Sequence, residues 1–95
     1  MKLILSPNPT KKLRAVFNDG THTDFGAEGM MDYILYYKED KELAEKRKKA
    51  YIARHTKDLE TGDPKKAGFL SYYILWNLPT VARSLKDYKK RFGDL

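Results

Sequence analysis

Lys46-Arg47-Lys48-Lys49 is followed by Arg54 and Lys57, giving six cations and no acid in twelve residues. Cations at this density suit one kind of chemistry. They meet phosphate oxygens and release the counterions condensed on a nucleic acid. An α-helix turns by about 100° per residue, so four consecutive cations spread over all its sides and cannot all meet one phosphate backbone. Arg47 and Arg54, seven residues apart, share a face, and Lys46, Lys49 and Lys57 populate a neighbouring one. Arg83, Lys86 and Lys90 form a second set at spacings of three and four, flanked by Lys89 and Arg91. Lys46, Arg47, Lys49, Arg54, Lys57, Arg83, Lys86 and Lys90 are therefore the candidate nucleic-acid-binding residues. Lys2, Lys11, Lys12 and Arg14 would extend that surface from the N-terminal strands. The competing reading is a solvated helix surface, with Glu42–Lys46 and Glu45–Lys49 as i,i+4 pairs in the favourable orientation. The first run also fits a nuclear-localisation signal.

Other chemistries find less support. The chain has no cysteine, which excludes disulfides, cysteine zinc sites and thiol catalysis. Its two histidines, His22 and His55, show no metal-ligand spacing. His55 has the chemistry of a base or a phosphate ligand, but no Ser, Asp or second His stands where a triad needs one. A structural or surface role is the reading for it. Gly26 and Gly29 lack the Lys-Thr/Ser ending of a P-loop and the third glycine of a dinucleotide fingerprint. Glu39-Asp40 reads as helix-start chemistry rather than a general acid and base. No catalytic residue, metal ligand or cofactor is assigned, and the expectation is a non-enzymatic protein. Tyrosines can stack on unpaired bases, but Tyr72, Tyr73 and Trp76 fall in an apolar run and read as core. Tyr36 and Tyr37 stay open.

Charge is unevenly laid out. Residues 18–45 hold eight acids against two lysines, whereas residues 46–95 hold thirteen Lys and Arg against five acids. The net charge is +6. Such polarity attracts polyanions and restricts where they sit. Ninety-five residues make one domain, residues 1–95. Seven Tyr, four Phe and one Trp set the chain apart from disordered basic tails, which are poor in aromatics. No apolar run approaches the roughly 20 residues of a membrane span. Residues 1–5 are too short for a signal-peptide apolar region, so an intracellular protein without membrane attachment is expected.

The elements that must position these cations follow from local pattern. Lys11–Asn18 alternates, with Leu13, Ala15 and Phe17 on one side. Asn18-Asp19-Gly20 is a turn signal because Gly accepts positive φ. Thr21–Phe25 returns as a strand, and Leu3–Leu5 adds a third. Gly26-Ala27-Glu28-Gly29 breaks the pattern. Met30–Tyr37 reads as a helix with Met30, Tyr33, Ile34 and Tyr37 on one face. Asp40 caps a helix over about 41–58, acidic in its first turn and basic thereafter, which complements the helix dipole. Asp63 as N-cap with Pro64 at the first helical position starts the next helix. Its run Ala67–Leu78 is apolar on nearly all faces and reads as a buried central helix, ended before Pro79. Thr80 caps a last helix to about Phe92, closed by Gly93. Its stripe of Val81, Leu85, Tyr88 and Phe92 joins Leu70, Tyr73, Ile74 and Trp76 in the expected core. The fold class is α+β: an N-terminal β-hairpin or small antiparallel sheet followed by three to four helices.

A specific combination of residues runs through these elements: Phe25-Gly26-Ala27 with Gly29-Met30 and Asp32-Tyr33, then Tyr51 with Arg54-His55, then Asp63-Pro64, Ala67-Gly68, Leu70-Ser71, Ile74-Leu75-Trp76-Asn77, Pro79-Thr80, Ser84, Asp87-Tyr88-Lys89 and Arg91-Phe92. Over roughly Phe25–Phe92 the chain resembles a family of short basic proteins of unassigned function encoded by large double-stranded DNA viruses, including chlorella viruses and marseilleviruses. That resemblance carries over no catalytic residue. It implies a virion or a viral factory in the host cytoplasm, with the host nucleus as a further location, where packaged DNA is the dominant polyanion. The expected function is sequence-tolerant binding of double-stranded DNA through its phosphates. The alternative is a virion structural module that self-associates as a homo-oligomer or contacts capsid, core or other virion proteins.

Overall fold

The computed structural model describes Met1–Leu95. Three antiparallel strands in the order β1-β2-β3 open the chain: β1 (Lys2–Leu5), β2 (Lys11–Val16) and β3 (His22–Ala27). Turn chemistry sets the hairpin. Gly20 sits at φ 86°, Asp19 accepts the Thr21 amide, and Phe17 N–H donates to the Thr21 carbonyl. Register then places Leu13 opposite Phe25 and Ala15 between Leu3 and Thr23, on the face that meets the helices. Arg14 lies opposite Asp24 on the other face. β3 runs two residues past the expected Phe25, because Gly26 bends the strand end at φ 79° without breaking it.

Four helices follow, which makes the fold α+β: α1 (Tyr33–Glu39), α2 (Lys41–His55), the short α3 (Ala67–Leu70) and α4 (Val81–Phe92). Asp32, Asp40 and Thr80 are N-caps, their side chains accepting from the amides of Leu35, Leu43 and Arg83. Such caps satisfy amide donors that have no partner inside the helix. α1 begins only at Tyr33, so Met30 is outside the helix and exposed. α2 ends at His55 and tightens into a 3₁₀ turn over Thr56–Thr61.

The expected helix start at Asp63-Pro64 is corrected. Asp63 accepts the Lys65 amide and its carbonyl takes the Lys66 amide, so residues 63–66 form a turn and α3 starts at Ala67. The apolar run also differs from one long helix. After Leu70 the chain widens into a π turn over Ser71–Leu75, and Trp76 N–H reaches back to the Ser71 carbonyl.

The core joins sheet and helices: Ala15, Phe17 and Phe25 from the sheet, Ile34 from α1, Leu70, Ile74 and Leu75, and Tyr88 from α4. Tyr73, Trp76, Val81, Leu85 and Phe92 pack around it but stay partly exposed. Tyr88 is fully buried and its hydroxyl donates to the Pro64 carbonyl. Burial pushes that phenol up to about 12. No helix is long and apolar enough to cross a membrane.

Candidate functional site

The eight candidate cations share one property and divide in space. None of them forms an ion pair within 4.0 Å. The cations nearer the sheet and the chain end behave differently. Lys12 pairs with Asp32 at 2.8 Å, Arg14 with Asp24 at 2.7 Å, Lys65 with Asp19 at 2.8 Å and Arg91 with Asp87 at 2.7 Å. Arg14 holds the Asp24 carboxylate below its usual range, and Lys65 does the same to Asp19. Lys12 and Arg14, expected to extend the basic surface, are thus each paired with a neighbouring carboxylate.

The anticipated i,i+4 pairs on α2 do not form. Glu45 instead accepts the Tyr33 hydroxyl. Burial first, and this carboxylate second, push the Tyr33 phenol up to about 12. Lys48, inside the basic run, is taken up structurally. It lies 4.8 Å from the Tyr33 ring centre and donates to the Asn77 carbonyl at 2.6 Å. The Asn77 side-chain amide in turn donates to Asp87 at 2.7 Å, which ties α2 to α4.

The free cations line different depressions. Arg83, Lys86 and Lys90 line one shallow depression with Leu78 and Asp87. Helix geometry sets Arg83 and Lys90 within about 60° of Asp87 around α4. On α2, Arg47 and Arg54 lie about 20° apart and Lys46 and Lys49 about 80–160° further round. Lys57 stands in the 3₁₀ turn, where it lines a shallow depression with Asp58 and Glu60. Arg47 and Arg54 thus share a face of α2 as expected, whereas Lys57, expected beside Lys46 and Lys49, lies beyond the helix end.

Arg47 and Arg54 do something the sequence did not disclose: they flank an aromatic groove. Trp76 stacks on Tyr51 at 4.3 Å between ring centres and 5° between planes, and Tyr51 stacks on His55 at 4.2 Å. Tyr36 approaches Trp76 from the other element at 6.4 Å, with the Arg47 guanidinium 5.8 Å from its ring. Two adjoining cavities run along this ladder. One, of about 410 Å³, is lined by Gly29, Met30, Met31, Tyr36, Arg47, Ala50, Arg54 and Trp76. The other, of about 270 Å³, brings in Tyr51, His55, Ser71 and Leu75. The π turn aims Ser71, Leu75 and Trp76 here, and such turns inside helices recur at functional positions. Gly26 is needed for the fit: a Cβ there would stand 2.7 Å from Leu75 Cδ1. Burial pushes the Tyr51 phenol up to about 12, with Asp58 adding to the rise.

His55 also differs from expectation. Its Nδ1 lies 2.9 Å from Asp58 Oδ2, so a carboxylate does orient the ring. Ser71 lines the same cavity, but no hydrogen bond joins it to His55. Chemically the groove offers aromatic surface, thioethers and two unpaired guanidinium groups. Tyr51 and Trp76 were legible only as an aromatic on a narrow helical stripe and an aromatic just before a proline break.

A small basic α+β protein with an arginine-flanked aromatic groove is the class that fold and site define. The chain belongs to the family of unknown function DUF5754, which it matches over residues 1–55. That span contains the sheet, α1 and α2, and so Arg47, Tyr51, Arg54 and His55, but not α4. Comparison with curated proteins and with solved structures gives no match.

Proposed function

We propose that this protein binds nucleic acid through its phosphates, without strong sequence preference and without catalysis, and that the polyanion is packaged DNA in a virion or viral factory. The observation that carries the reading is the segregation of charge. Lys46, Arg47, Lys49, Arg54, Lys57, Arg83, Lys86 and Lys90 form no ion pair, although Arg91 and Lys89 of α4 do, while Asp19, Asp24 and Asp32 are held by Lys65, Arg14 and Lys12. Free cations on a folded scaffold are what phosphate contact requires, because only they exchange counterions for phosphate oxygens. The viral setting rests on the sequence resemblance.

Binding to labelled duplex DNA across a salt series tests this. If about five phosphates are neutralised, the log–log slope is roughly −4 to −5, with affinity nearly independent of sequence. No binding at low salt overturns the proposal.

A second reading, self-association or contact with other virion proteins, has its own observation. Leu5 is 82% exposed at the end of the outermost strand β1, with Leu35 close by along one apolar-lined depression. An unpaired strand edge with exposed apolar side chains is a template for pairing. Sedimentation that depends on concentration in the absence of DNA would favour this reading.

A further inference from the structure

We propose that the groove between α2, the Gly29–Met31 segment and Trp76 is a binding site for an unpaired nucleotide, its base against the Trp76 ladder and its phosphate on Arg47 and Arg54. This deepens the phosphate-binding reading and rests on it.

Four observations converge. The first is chemical. Arg47 and Arg54 are the only candidate cations that share a cavity with aromatic side chains, and neither has an ion-pair partner. Guanidinium groups beside aromatic surface match the two halves of a nucleotide, a charged phosphate and a flat base. The second is geometric. Tyr51 covers one face of Trp76 but does not line the cavity that holds Arg47. The Trp76 surface open in that cavity is therefore not the face that Tyr51 occupies. The third is preorganisation. His55, Tyr51 and Trp76 are already stacked, and Asp58 fixes the His55 ring, so binding need not order them. The fourth is the opposite wall. Met30 is 63% exposed between Gly29 at φ 83° and the buried Asp32, and an unbranched thioether adapts to a base of any shape. A cavity of about 410 Å³ lies within the roughly 300–1,000 Å³ of small-molecule sites. Duplex DNA keeps its bases stacked and paired and cannot enter, so the groove selects single-stranded segments or free nucleotides.

Trp76 is the sole tryptophan, so all tryptophan emission comes from a side chain that lines this groove. The experiment titrates the full chain with a ten-nucleotide oligo-dT, a ten-base-pair duplex and dTMP, following Trp76 emission and, for labelled DNA, anisotropy. Oligo-dT is expected to quench Trp76, and the double variant Arg47→Ala/Arg54→Ala to weaken its binding about tenfold, the scale of one stacked and charge-anchored base. Duplex binding through the other cations is expected to leave Trp76 emission unchanged. Met30→Ala, at an exposed side chain, gives a second variant that leaves the fold intact and weakens oligo-dT alone. Quenching by dTMP at concentrations similar to the oligonucleotide assigns the groove to free nucleotides. Quenching by the oligonucleotide alone assigns it to strands. Anisotropy showing oligo-dT bound while Trp76 is silent, or a double variant that binds it unchanged, overturns the groove and leaves the phosphate-binding reading standing. Failure of both DNAs to bind overturns both.

Discussion

Lys12 in the sheet and Arg54 on α2 carry the same charge and line the same cavity, yet one is paired and the other is free. Lys12 reaches the buried Asp32 at 2.8 Å and also the Met30 carbonyl, so it holds the end of the sheet against the start of α1. Arg54 touches no carboxylate and opens onto a cavity. The difference teaches that a cation's availability is decided by which acids the fold brings to it, and net charge says nothing of that. A sheet places acids directly opposite bases, as with Arg14 and Asp24, whereas the exposed side of a basic helix has no second strand to answer it.

The largest expected effect breaks the first of these surroundings. Lys12→Ala leaves Asp32, which is 4% exposed, without its cation. The loss is expected to be about 2–3 kcal/mol, the cost of leaving a buried charged partner unanswered. Arg54→Ala is expected to stay within about 0.5 kcal/mol, as exposed substitutions usually do. Urea unfolding of both variants at pH 7 measures the contrast, and equal losses would abolish it.

Whatever depended on neighbours in the chain was readable in advance. The Asn18-Asp19-Gly20 turn, the Asp40 and Thr80 caps and the Val81-to-Phe92 stripe each express a rule spanning four to twelve residues, and each formed. Asp63-Pro64 misled because Asp makes the same side-chain bond to a turn amide as to a helix amide. The π turn was invisible because periodicity cannot report one extra residue inside an apolar run. The pairing of Lys12 with Asp32, twenty residues on, and the stacking of Tyr51 on Trp76 were beyond local rules altogether. So the cations of the site could be named, but not which of them meet an aromatic wall.

The next effect sharpens the comparison on the binding side. Replacing Arg83, Lys86 and Lys90 together by alanine removes three free cations from one face of α4. The salt slope for duplex DNA is expected to flatten by about 3, with affinity falling about tenfold or more at low salt. Arg14→Ala, a change of the same sign in the sheet, is expected to leave the slope unchanged, because Asp24 already occupies that guanidinium. Filter binding at several salt concentrations separates the two. A slope that responds to Arg14 as strongly as to an α4 cation would mean that the sheet pairs open to phosphate.

The smallest effect is on acid stability, and it follows from the same pairs. The Arg14 guanidinium, by its hydrogen bond, holds the folded Asp24 carboxyl below the ordinary range, and Arg91 and then Asn77 do so for Asp87. An unfolded Asp titrates near about 4. With the folded value lower, the unfolded state takes up protons first, so each pair's contribution is complete above about pH 4 and is lost as pH falls through the folded value. Asp24→Asn is therefore expected to be less stable than the parent at pH 7, with the gap narrowing as pH falls below about 4. Arg54→Ala, lacking an acid partner, is expected to follow the parent at every pH. Urea midpoints at pH 7, 4, 3 and 2 provide the test. A gap for Asp24→Asn as wide at pH 2 as at pH 7 would mean that the loss comes from hydrogen bonding the amide cannot replace rather than from the carboxylate charge. The contrast between paired and free cations would then bear on binding alone and not on acid stability.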